Sequence, residues 1–94
     1  VRSKKEIPEH FSYEEEIMGG NNVNFLTLHN DDEHTFDFVI DTLINVCKHD
    51  FLQAEQCAYI VHFKGKCEIK KGSLDRLQPM KNKLLSKGLQ ATIE

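Results

Sequence analysis

The sequence is poor in the short signatures that announce chemistry. It has no C-x-x-C or close Cys/His pair, no glycine-rich phosphate loop, no activated serine or cysteine context and no zinc-protease helix motif. Hydrolytic and thiolate-metal activities therefore lose their usual sequence support. Its apolar runs are only a few residues long, so no segment is expected to span a bilayer. It also lacks a concentrated basic face. A net charge of −3 with scattered lysines argues against nucleic acid as a partner, because phosphate binding needs clustered positive charge. The three cysteines, Cys47, Cys57 and Cys67, cannot all pair within one molecule, and no signal-peptide pattern precedes them. We read them as buried structural thiols of a protein in a reducing, cytoplasmic compartment.

What is present suits one small globular domain. A chain of 94 residues supports a single core, and 39% apolar with 29% charged residues is an ordinary soluble balance. Residues 1–23 carry Lys4-Lys5-Glu6, Glu14-Glu15-Glu16 and Gly19-Gly20-Asn21-Asn22 with no sustained apolar period, and we expect a flexible tail there. Ile7, Phe11, Tyr13 and Ile17 leave a short docking motif as the alternative. The core domain is expected over 24–94.

Within that core, Phe25 to Leu28 alternate like a half-buried strand. Phe36, Val39, Ile40, Leu43, Val46 and Cys47 then recur at helical spacing, which predicts a helix from about His34 or Thr35 to Cys47. Asp50 followed by Gln53 resembles a capping box for a second helix, with Phe51, Ala54, Cys57, Ala58 and Val61 as its stripe and Gly65 as its stop. Cys67 to Lys70 reads as a strand with Cys67 and Ile69 inward. Ser73 is a plausible N-cap for a face of Leu74, Leu77, Met80, Leu84 and Leu85, but Pro79 sits too deep for a first-turn proline. The expectation is a turn over Ser73 to Gln78, a helix over Pro79 to Lys87, a stop at Gly88 and a closing strand over Leu89 to Ile93. The fold class is α+β in the order β-α-α-β-α-β, a three-stranded sheet packed against helices.

Strand and first helix meet in a polar elbow, Asn30-Asp31-Asp32-Glu33-His34. Three acids, an amide and an imidazole sit where the backbone changes direction, which makes this stretch the leading candidate site. Three readings are open: a carboxylate acid/base pair, a metal site with His29 and His34, or a surface turn stabilised by local Asn/Asp bonds. His62, at the end of the second helix, reads on composition as a partner for unpaired helix carbonyls.

Taken together, Asn30-Asp31-Asp32 and Val61-His62-Phe63-Lys64-Gly65-Lys66 resemble the ClpS family of protease adaptors. That family combines an Asn-Asp-Asp turn after the first strand with a Val-His-x-x-Gly-Lys segment, and no gap is needed between the two here. The resemblance runs from about Phe25 to Glu94. It implies a non-enzymatic adaptor without a cofactor or metal, which binds substrates whose N-terminal residue is Leu, Phe, Tyr or Trp and delivers them to a Clp-type AAA+ unfoldase. By position, Asn30, Asp31 and His62 would surround the substrate's α-ammonium and Asp32 would support the turn. Phe36, Val39, Ala58, Val61, Leu89 and His34 would line the side-chain pocket, and Asp75 would contact the unfoldase. Many members carry Thr-Pro where this chain has His34-Thr35, and methionine at the positions of Phe36 and Ala58. Two other classes fit the outline: a ribosomal-stalk-like interaction domain, and a small metal-binding protein using His29, Asp31, His34 and His62.

Overall fold

The computed structural model describes residues 23–94, so the tail expected over residues 1–23 lies outside the described residues except for Val23. The chain runs β1 (Asn24–His29), α1 (Phe36–Cys47), α2 (Phe51–Lys64), β2 (Lys66–Gly72), α3 (Leu74–Ser86) and β3 (Gln90–Ile93). This is the α+β order expected from the sequence. The sheet is antiparallel throughout, with β1 in the centre between β2 and β3. Leu28 lies opposite Cys67 on one side and Ala91 on the other, and Leu26 opposite Ile93. With Ile69, these residues form the sheet's share of the core. The β1–β2 register shifts between Leu26 and Thr27, and period-two alternation along β2 turns both Cys67 and Ile69 inward.

Each helix starts where its capping chemistry says it should, with one exception. Thr35 Oγ1 accepts from the Phe38 N–H to begin α1, and Asp50 Oδ1 accepts from the Gln53 N–H to begin α2. Gly65 closes α2 at φ 93°, a left-handed conformation in which a side chain would be strained. Ser73 occupies the N-cap position of α3, yet its side chain makes no capping bond.

The expected turn over Ser73 to Gln78 does not form. Helix α3 is continuous from Leu74 to Ser86 with Pro79 inside it. A proline there removes one backbone bond, to the Asp75 carbonyl, and costs about 3 kcal/mol. Burial of Leu77 and Leu84 offsets that, since each side chain contributes roughly 1.5–3 kcal/mol when fully covered. Three apolar residues assigned to buried faces are instead exposed: Phe51 (59%), Leu74 (51%) and Leu85 (42%). Phe51 and Leu74 each open a helix, ahead of the turns that pack on the sheet.

The cysteines are free and belong to the core, as their composition and spacing suggested. Burial pushes the Cys47 thiol up to about 11, which keeps it neutral.

His49, in the α1–α2 connection, is almost fully buried. Its Nε2 donates to the Ile69 carbonyl at 2.8 Å, while Nδ1 has no partner among the described groups. Protonating Nδ1 would bury an unpaired charge, so burial holds the imidazole below its ordinary value against the pull of the Ile69 carbonyl. The unfolded chain then binds more protons than the native one as the pH falls. Stability should be full above the unfolded value of about 6.5 and decline from there through the lower folded value. Urea unfolding from pH 7.5 to 4.5 should show this decline, with a shallower slope in His49→Gln; equal slopes would remove His49 as the cause.

Candidate functional site

The elbow reaches its place because β1 is the central strand and ends beside the far end of the helical hairpin. The Asn30 N–H donates to the Gly65 carbonyl at 2.9 Å, which fastens the elbow to the C-terminus of α2. Antiparallel packing of α1 and α2 brings Phe36, the first residue of α1, against Tyr59 and His62 in the last turns of α2. A cleft opens between these parts. Its polar rim carries Asn30, Asp31, His34 and His62, and its apolar lining carries Phe36, Val39, Ala58, Val61 and Leu89.

Asp31 organises the elbow. Its Oδ1 accepts from the backbone N–H groups of Glu33 (2.8 Å) and His34 (2.9 Å), and the His34 ring Nδ1 lies 3.0 Å from both carboxylate oxygens. Partial burial raises the carboxyl, but the two backbone bonds and the His34 ring together outweigh it. They hold Asp31 below the usual carboxylate range. The turn-supporting role expected of Asp32 thus falls to Asp31, because Asp31 is the one whose Oδ1 meets two successive N–H groups. Asp32 is exposed and makes no side-chain hydrogen bond among the described residues.

His34 is more than pocket lining. Its ring stacks on Phe38 at 4.9 Å, and its far edge lies where a Cβ on Gly88 would approach Nε2 to 3.2 Å. Gly88, at φ 88°, therefore leaves room for His34 and directs Leu89 into the cleft. On the opposite rim, His62 is exposed and held edge-on between Phe36 (5.1 Å) and Phe63 (4.7 Å).

The cleft thus joins a fixed carboxylate, an amide at the rim and an imidazole to an apolar interior. Such a rim offers acceptors to a cationic donor, and the carbonyl end of α2 adds partial negative charge. Nine of the eleven residues singled out in the sequence line it, whereas Asp32 turns outward and Asp75 is exposed on the first turn of α3. His29 bonds Thr92 Oγ1 at 2.8 Å, and no three His, Cys, Asp or Glu side chains among the described residues are grouped to hold a metal. The ligand set His29, Asp31, His34 and His62 is not assembled.

A family model described as ATP-dependent Clp protease adaptor protein ClpS matches residues 23–92. The chain belongs to the ClpS family. Among solved structures, Agrobacterium tumefaciens ClpS2 bound to L-phenylalaninamide is similar in fold to it, with a TM-score of 0.67 and 19% identity over 78% of this chain and 95% of that one. A search of curated protein sequences finds no match. Membership in this adaptor family separates the chain from the ribosomal-stalk alternative, which shares only the outline. No helix among the described residues is long and apolar enough to cross a membrane.

Sequence reasoning did not place Leu28, His29 and Thr35 in the lining, although all three flank the elbow closely. It also missed Tyr59 and Phe63, whose rings continue the contacts of Phe36 and His62 outward. Helical spacing carried the first signal: Tyr59 and Phe63 are four residues apart, bracketing His62.

Proposed function

We propose that the chain is a non-enzymatic adaptor of the cytoplasm that binds the free N-terminus of proteins beginning with Leu, Phe, Tyr or Trp and delivers them to a Clp-family AAA+ unfoldase. The observation that carries this reading is the convergence of the Asp31 carboxylate and His62 on the rim of an apolar cleft floored by Ala58 and Val61. An α-ammonium offers three donors, which suits the Asn30 amide oxygen, the Asp31 carboxylate and the His62 ring. The bulky side chain would enter the cleft. The phenylalaninamide held by the structurally similar Agrobacterium protein supports a ligand of this chemistry. In this reading residues 1–23 are needed for delivery but not for grasping, and Asp75 faces the unfoldase.

The test is a fluorescence anisotropy titration with Phe-peptides whose amine is free or acetylated. Each polar contact to the ammonium contributes up to about 1.5–3 kcal/mol and the buried side chain about as much, so the three amine contacts and the side chain together should give roughly micromolar affinity for the free amine. Acetylation should weaken binding at least tenfold, to about a tenth or less. Equal affinity for both peptides would falsify the assignment. A chain beginning at Asn22 should bind these peptides normally and fail to accelerate their degradation; weaker binding would place the tail in the pocket.

A further inference from the structure

Phe63 is the most exposed large hydrophobic side chain in the described fold, at 70%. Isolated apolar residues are common on protein surfaces, but Phe63 is not isolated. Its ring is stacked with that of Tyr59 (6.1 Å, 10°) and meets the edge of His62 at 4.7 Å. Phe36 touches both Tyr59 and His62 at 5.1 Å, closing a circuit of four rings. Two members, Phe36 and His62, line the cleft; the other two carry the same aromatic surface out of it. Elsewhere the rim is polar, with Asn30, Asp31 and the His34 ring that Asp31 holds. The mouth is thus apolar on one side only.

We propose that Tyr59 and Phe63 form an aromatic shelf that takes the side chain of the second residue of a bound peptide and favours apolar and aromatic residues there. The inference rests on the reading that the cleft takes the first residue with its amine beside Asp31 and His62. Successive residues of an extended chain lie about 3.3–3.6 Å apart. A first residue anchored beside His62 therefore brings the second within reach of Phe63, whose ring centre is 4.7 Å from that of His62. Helix α2 makes the shelf rigid, since Tyr59 and Phe63 stand one turn apart on it. A serine at the second position would leave the shelf wet, whereas leucine or phenylalanine would cover it.

Competition titrations with phenylalaninamide and with free-amine peptides beginning Phe-Ser, Phe-Leu and Phe-Phe test the shelf. Phe-Leu and Phe-Phe should bind about three- to tenfold more tightly than Phe-Ser. Phe63→Ser, a change at an exposed position near the end of α2, should bring those ratios close to one, and Tyr59→Ser should reduce them. If wild-type protein binds phenylalaninamide but gives equal affinities for the three peptides, the shelf is overturned and amine recognition stands. If Phe63→Ser weakens every ligand by one common factor and keeps the ratios, Phe63 only steadies His62, which also overturns the shelf. Failure of wild-type protein to bind phenylalaninamide or any free-amine peptide overturns the reading of the cleft and the shelf with it.

Discussion

Replacing Asp31 by asparagine should weaken binding of a free-amine Phe-peptide about tenfold or more while the elbow stays folded. The two consequences separate because the carboxylate does two things. One oxygen holds the turn through the Glu33 and His34 N–H groups, and an asparagine oxygen can do the same, as Asn is favoured in such turns. The negative charge is lost. A charged acceptor binds an ammonium roughly twice as strongly as a neutral one, so the variant should fall most for free amines and little for acetylated peptides. The ratio of free to acetylated affinity is the deciding quantity, measured beside a thermal melt. An unchanged ratio in a folded variant would remove Asp31 from amine recognition. Because Asp31 is held below the usual carboxylate range, its charge should persist as the pH falls toward about 4.

The second large effect concerns the shape of the cleft. Ala58 is almost fully buried in α2, one turn before His62, and Phe36 is half-buried against the His62 edge. Ala58→Met would fill depth that an indole or phenyl ring needs and a leucine does not. With about 0.8 kcal/mol for each displaced methylene, the Trp-to-Leu affinity ratio should fall on the order of tenfold. Phe36→Ala should relax the opposite constraint. Removing the ring beside the mouth makes room for branching at Cβ, so peptides beginning with Ile or Val should gain relative to Leu. Overall affinity should drop in that variant, since Phe36 also braces His62. Ratios across an N-terminal residue series therefore carry the test. If Ala58→Met leaves the Trp-to-Leu ratio unaltered, Ala58 does not meet the bound side chain.

How much of this was readable in advance depends on the range of the interaction concerned. The N-cap Asp50 and the stop at Gly65 are local bonds between residues a few positions apart, and the sequence alone placed them, whereas it located only the approximate start of α1, which Thr35 caps. The period of two in β1 and of a helix in α1 placed Leu28, Val39 and Leu43 on their buried or half-buried faces for the same reason. The pairing of Asn30-Asp31 with His62 was visible only through family resemblance, because residues so far apart in sequence meet solely through the hairpin and the Asn30–Gly65 backbone bond. Tertiary structure alone decided the rest. It kept α3 continuous through Pro79, because packing Leu77 and Leu84 on the sheet outweighs one missing hydrogen bond. It left Phe51, Leu74 and Leu85 outside, because a helical period marks a face but not how far the neighbouring elements extend over it. It gave the turn to Asp31 and left Asp32 in solvent, a choice between adjacent carboxylates that depends on backbone direction rather than residue type. The aromatic circuit of Phe36, Tyr59, His62 and Phe63 belongs here too, since its rings come from two helices whose alignment no local pattern records.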